Sequence, residues 1–281
     1  MERLVRFYSD PVPWQVPAVT IVDRTIQGRH GVVPIRTYTP KQPPRSALVW
    51  LHGGGFSGGN LDMPEGHIVA AELSHRVSAL VVSVDYRLAI DGVRYPVPVD
   101  DVHDVWAWVT SEIWPQNAGP AALGGASAGA ALAVSVAMRL RDEAQRTPDS
   151  LLLGYPYLHF PTPPLDDVLW DEMKQLPDLA RFSPASMEYM VQNYVGRISD
   201  IPREAMPGAG NVAGLPPTSI VVSEYDDLRP SAELFARQLQ EAGTEVRSYL
   251  ARGMLHGHLN RAPYLGEVDQ SLAFLAAGIT P

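Results

Sequence analysis

The apolar positions of this chain fall into two kinds of run. Five continuous stretches rich in β-branched residues are SALVWLHGGG (46–55), ALVVSVDYR (79–87), AALGGAS (121–127), LLLGYPYL (151–158) and TSIVVSEYDD (218–227). Each ends in a turn signal and leads into a helical pattern. A continuous run, unlike an alternating one, suits a parallel strand covered on both faces. Helices are predicted over 65–77, 100–112, 128–145, 230–242 and 266–277, and a late strand over 245–250. VTIVDRTIQG (19–28) and VVPIRTYTP (32–40) alternate instead. The turn Gly28 to Gly31 predicts that they form an antiparallel hairpin at the sheet edge.

Two regions break this rhythm, residues 1–17 and roughly 160–210 with its prolines, Trp170 and the Met187, Tyr189, Met190, Tyr194 cluster. They read as an inserted lid. A chain of 281 residues organised this way is expected to fold as one unit, 1–281.

Composition narrows the class. The chain is 46% hydrophobic and 19% charged, and no uncharged apolar run reaches the roughly 18 residues of a membrane span. Net charge is −9 and only two of 22 basic residues are lysines, so no basic stripe exists to neutralise phosphates and nucleic acid is not an expected partner. The opening MERLVRFYSDPVPWQVP lacks a secretory apolar core, so a cytoplasmic protein is expected. The absence of cysteine excludes disulfides, thiolate catalysis and cysteine-ligated zinc.

Gly125-Ala126-Ser127-Ala128-Gly129 fits G-x-S-x-G between a predicted strand and a predicted helix, the context the motif requires. A sharp strand-to-helix turn strains the serine backbone and leaves no room for large flanking side chains. A serine nucleophile needs a base, an acid to orient it and donors for an oxyanion. His52-Gly53-Gly54-Gly55 follows a strand and could aim bare N–H groups into the crevice at its carboxyl end, joined by the N–H of Ala128. His256 follows the late strand, with His258 as the competing base. Asp226 and Asp227 end the strand before it, with Glu224 close by.

Three other patterns compete. Gly53-x-Gly55-x-x-Gly58 matches a dinucleotide fingerprint, but it does not open into a helix, and Asp85 comes 27 residues after Gly58 where about 20 is usual. The pair His256 and His258 lacks a third metal ligand at a persuasive spacing. Asp100, Asp101, His103 and Asp104 read as a helix start rather than a metal cluster. His30, His67, His75 and His159 have no partner pattern and are expected on the surface or in loops.

HGGGF (52–56), DYRLA (85–89), YPVPVDD (95–101), GASAGA (125–130), YP (155–156), GLPP (214–217), YDDLR (225–229) and GMLHG (253–257) stand in an order that resembles the hormone-sensitive-lipase family of carboxylesterases over roughly 45–275. The resemblance implies an α/β-hydrolase fold, a mostly parallel twisted sheet of about eight strands with helices on both faces and a helical cap at about 1–30 and 160–210. It implies Ser127 as nucleophile, His256 as base and Asp226 as acid, although Asp227 stands where the family usually has proline. Gly54, Gly55 and Ala128 would supply the oxyanion donors, with His52 and Gly53 supporting the loop. Trp14, Trp170, Met187, Tyr189 and Met190 would shape the substrate pocket. The implied substrate is a small-molecule ester with a short acyl chain, and no metal or organic cofactor is needed. An amidase, deacetylase or lactonase would use the same triad, and a ligand-binding receptor of this superfamily lacks the histidine. A homodimer through the edge strand 245–250 is also implied. Ala126 and Ala130 depart from the usual Asp or Thr and Gly, which leaves substrate preference open.

Overall fold

The computed structural model describes residues 9–10 and 12–279. The expected lid role of residues 1–8 and 11 therefore lies outside the described residues. Eight strands form one sheet: β1 (Val19–Gly28), β2 (Gly31–Pro40), β3 (Ser46–Leu51), β4 (Ala79–Val84), β5 (Ala121–Ala126), β6 (Ser150–Gly154), β7 (Thr218–Tyr225) and β8 (Val246–Leu255). Their order is β1-β2-β4-β3-β5-β6-β7-β8. The hairpin forms with Gly28 opposite Gly31, and β2 runs antiparallel to β4. All pairs from β4 across to β8 are parallel.

The continuous apolar runs are the central strands, and every residue of β3, β4, β5 and β6 is buried. Such strands need helices on both faces. On one face lie α2 (Val97–Trp108), α3 (Ala128–Asp142) and α6 (Arg229–Glu241), whose Val102, Trp106, Leu132 and Phe235 enter one apolar cluster. On the other lie α1 (Pro64–Val77) and α7 (Gly266–Ala276), which contribute Val69, Leu73, Leu272 and Leu275 to a second.

Several expected boundaries move for local reasons. The strand expected over 151–158 stops at Gly154, because Tyr155 takes φ 32° and turns the chain out of the sheet. The helix expected from 100 begins at Val97, since Pro98 fits a first helical turn whose N–H groups have no partner anyway. The late strand is longer than 245–250 and runs to Leu255, which carries it up to His256.

Residues between β6 and β7 form the insertion seen as a break in rhythm. It holds α4 (Asp167–Met173) and α5 (Pro184–Val195). Each helix is capped by a side chain, Asp166 accepting from the Leu169 N–H and Ser183 from the Ser186 N–H. Val191 and Tyr194 of α5 are buried in the same cluster as α2 and α3, and the Tyr194 ring stacks on Phe56 of the glycine loop with centroids 4.0 Å apart.

Candidate active site

The turn from β5 into α3 sets the site. Ser127 sits between them at φ 53°, ψ −118°, a left-handed backbone that an L-residue adopts only at a cost of order 1–3 kcal/mol. The surrounding packing enforces it. A Cβ on Gly125 would come within 2.6 Å of the Gly129 backbone, and one on Gly129 within 2.3 Å of the His52 carbonyl oxygen. The small residues of the elbow are thus required by the close approach of turn, helix and β3.

Ser127 Oγ lies 2.9 Å from His256 Nε2, and His256 Nδ1 lies 2.7 Å from Asp226 Oδ2. The second Asp226 oxygen accepts the Leu228 N–H at 2.8 Å. Burial alone would depress the His256 pKa, but the charge and hydrogen bond of Asp226, with Glu65 and Asp227 behind it, hold it above the ordinary value. The neighbouring candidates turn elsewhere. Asp227 faces Arg181 and accepts the Phe182 N–H, and Glu224 accepts the Gly253 N–H. His258 is fully buried between the hydroxyls of Ser223 and Ser271, 2.9 and 3.0 Å away, with its pKa pushed down to about 3 by burial and by the charge on His256. Two histidines two residues apart therefore point to different neighbourhoods and do not converge on one ion.

The glycine loop after β3 faces the serine, since Gly54, Gly55, Ser127 and His256 line one cavity of about 250 Å³. Gly54 takes φ 111°, and a Cβ there would meet the Gly58 carbonyl at 2.1 Å, so the tight turn demands glycine. His52 is buried beneath the loop, where its Nδ1 meets the Gly53 carbonyl at 2.7 Å and its ring stacks on Tyr86 at 4.4 Å. Ala128 is the first residue of α3, so its N–H is among the four that a helix leaves unpaired.

The cavity also holds an acid that no sequence motif marked. Glu65, in the first turn of α1, is buried and accepts the Gly53 N–H at 2.7 Å, the Tyr155 hydroxyl at 2.5 Å and the Asn260 amide at 3.2 Å. Burial pushes its carboxyl above the usual carboxylate range, while the Tyr155 hydrogen bond and His256 pull the other way. The sequence signal was a Pro-Glu pair at a helix start, which reads equally well as ordinary dipole pairing. The rival G-x-G-x-x-G reading requires the glycines to open into a helix, but Gly58 is followed by bends and turns until α1 begins at Pro64, and the Gly53 N–H is taken by Glu65.

The expected pocket residues are dispersed. Met190 lines the Ser127 cavity and packs on Gly55. Trp170 and Met187 line a second cavity of about 400 Å³. Tyr189 is 66% exposed. Trp14 joins the cluster of α1 and α7, donates its indole N–H to Glu72 and meets the His67 ring edge-on, and it does not line the Ser127 cavity. Phe182, Tyr157 and Leu228 fill that wall instead.

The Asp100 to Asp104 stretch is held by side chains from other elements, Asp100 by the Arg139 guanidinium and the His30 ring, Asp101 by Arg87 and Asp104 by Arg29. Among the described residues no group of three or more His, Asp and Glu side chains is arranged to hold a metal ion. His159 lies in a loop, one of the two placements expected, but it is buried there, with Nδ1 2.9 Å from Ser231 Oγ and Nε2 3.1 Å from Gln238.

Sheet order and serine turn together define an α/β hydrolase. The profile of the alpha/beta hydrolase fold matches residues 48–260, most of the chain, and the chain belongs to that family. Its motifs assign it to the hormone-sensitive-lipase-like members, as the resemblance implied. The esterase LipI of Mycobacterium tuberculosis is 33% identical over 265 residues, covering 88% of this chain and 77% of its own length. The ethyl acetate hydrolase of Pseudomonas putida is 28% identical over 274 residues, covering 92% of this chain and 82% of its own. Among solved structures, an esterase of Pyrobaculum calidifontis is similar with a TM-score of 0.82 at 30% identity, covering 99% of this chain and 88% of its own. No helix among the described residues is long and apolar enough to cross a membrane.

Proposed function

We propose that this protein is a serine carboxylesterase that hydrolyses short-chain acyl esters through an acyl-enzyme. The observation that carries the reading is the continuous line from Ser127 Oγ through His256 to Asp226, at 2.9 and 2.7 Å, in a cavity that Gly54 and Gly55 also line. Relatives named as esterases support the reaction class.

His256 takes the Ser127 proton as Oγ attacks the ester carbonyl, and the developing oxyanion is met by the N–H groups of Gly54, Gly55 and Ala128. His256 then gives the proton to the leaving alkoxide, and water repeats the sequence on the acyl-serine. Asp226 orients the imidazole and stabilises its charged form. Glu65 acts as a positioning residue, because its carboxylate ties Gly53 and so fixes the loop that carries the donors. Met190, Tyr157 and Leu228 close the cavity of about 250 Å³ around Ser127, which supports a short acyl group.

The test is a rapid-mixing assay with p-nitrophenyl butyrate. Wild type gives a burst followed by steady turnover, and Ser127→Ala loses kcat by about a millionfold, the size found for nucleophile loss in serine hydrolases. A wild-type protein that turns over no short ester, or a Ser127→Ala variant that still does, overturns the proposal.

A further inference from the structure

Two cavities meet at one side chain. Phe182 lines both the cavity of about 250 Å³ at Ser127 and the chamber of about 400 Å³ beyond it. Its ring stands edge-on to His256 with centroids 4.8 Å apart. The larger chamber is walled by the flat indole of Trp170 and the rigid rings of Pro163, Pro164 and Pro184, with the adaptable Met187 side chain beside them. Its size lies within the range of ~300–1,000 Å³ typical of small-molecule sites.

The chamber is bounded on one side by an ion pair made by Asp227, the residue that departs from the motif's usual proline. Asp227 and Arg181 form a two-pronged contact at 2.7 and 2.9 Å, with side chains 8% and 15% exposed, and the same carboxylate accepts the Phe182 N–H at 2.7 Å. The Arg181 guanidinium in turn lies over the Trp170 ring, 5.3 Å from its centroid. One acid on the loop that carries Asp226 therefore holds both the Phe182 backbone and, through Arg181, the Trp170 ring.

Reaction geometry fixes which half of an ester faces this chamber. The leaving oxygen must come within reach of His256 Nε2 to receive its proton, while the carbonyl oxygen points to the glycine loop. The Phe182 ring packs against the His256 imidazole, and Asp227 holds the Phe182 N–H, so this wall of the chamber adjoins the imidazole. We infer that the chamber beyond Phe182 is a leaving-group subsite for aryl alcohols, built by the Asp227–Arg181 pair. This rests on the esterase reading above. An aromatic ring entering the chamber stacks between Trp170 and the prolines, and the ester oxygen stays at His256.

Matched esters test the assignment, with 2-naphthyl acetate carrying the aryl group on the alcohol side, ethyl 2-naphthylacetate carrying it on the acyl side, and ethyl acetate carrying none. Met187→Trp fills the chamber, and Trp170→Ala, at a position 50% exposed, removes a wall without touching the core. Each is expected to lower kcat/KM for 2-naphthyl acetate roughly tenfold, the scale of one or two lost methylene contacts, with the other two esters changed less than threefold. A second readout needs no turnover: 2-naphthol titrated calorimetrically into Ser127→Ala should bind saturably, and about tenfold more weakly when Trp170→Ala is added. Equal losses on all three esters, a loss confined to the acyl-side ester, or 2-naphthol binding that ignores Trp170→Ala overturns the inference. Wild-type failure on every ester with intact 2-naphthol binding would instead remove the esterase reading and leave an aryl-binding chamber.

Discussion

His256 must be neutral to accept the Ser127 proton, and its neighbours decide the pH at which that holds. Its pKa is raised because the Asp226 charge and hydrogen bond, helped by Glu65, outweigh burial. The sign follows: kcat/KM should fall as pH drops through a midpoint above the ordinary value of about 6.5. Asp226→Asn removes the largest upward contributions, so the acid limb should move to lower pH while kcat falls by about 10⁴. Glu65→Gln keeps an acceptor for the Gly53 N–H but removes the charge. A smaller shift of the acid limb in the same direction, with kcat down less than about tenfold, is expected from pH–rate profiles. If Glu65→Gln lowers kcat and leaves the limb in place, Glu65 has only a scaffolding role. Local spacing left Asp226 and Asp227 as alternatives, and the family resemblance chose Asp226. Adjacent residues on a loop face opposite ways, and the fold settles which one meets the imidazole.

At the scale of elements, the strand-turn-helix units were legible because each is specified locally. The apolar runs became the buried strands β3 to β6, and the small residues around Ser127 became a turn in which neighbouring backbones leave no space for a Cβ. Gly129→Ala is therefore expected to destabilise the fold by about 1–3 kcal/mol or more by overpacking against the His52 carbonyl, read from urea unfolding midpoints. A change under about 0.5 kcal/mol would mean that the elbow relaxes freely. The insertion between β6 and β7 was legible only as an interruption. Its placement depends on contacts between residues 45 or more apart in sequence, such as Arg181 with Asp227 and Phe182 with His256, and no local pattern encodes these. Trp14 carries the same lesson, because an aromatic in an irregular segment can dock on either face of a sheet, and here Glu72 and His67 hold it among α1 and α7. Asp227→Asn and Arg181→Gln should each loosen this insertion. Their effects on 2-naphthyl acetate should be non-additive, the double variant being no worse than either single one, since both remove one interaction. Additive losses would show that the two residues act separately.

Across the whole molecule, stability should depend on pH through histidines that the fold keeps neutral. His52, His67 and His159 are held below the ordinary imidazole value, chiefly by burial, and His258 is pushed down to about 3. Below about pH 6.5 the unfolded chain binds protons at these positions that the native chain refuses, so stability is complete above that pH and falls as the solution is acidified. His256, with a raised pKa, works in the opposite sense, but it is one group against four. Between pH 6.5 and 4, His258 alone accounts for roughly 3 kcal/mol, equivalent to roughly 6–10 °C in Tm for a chain of this size. Further acidification removes the contribution of Asp23, Asp100 and Asp104, whose carboxyls are held low by arginine or histidine partners against the cost of burial. Calorimetric melts from pH 7 to 4 should show this decline. His258→Gln, which loses the bonds to Ser223 and Ser271, should start at a lower Tm at pH 7 yet fall less steeply on acidification. An unchanged slope in that variant would mean that His258 takes up its proton in the native state, and the acid sensitivity would then belong to the other histidines.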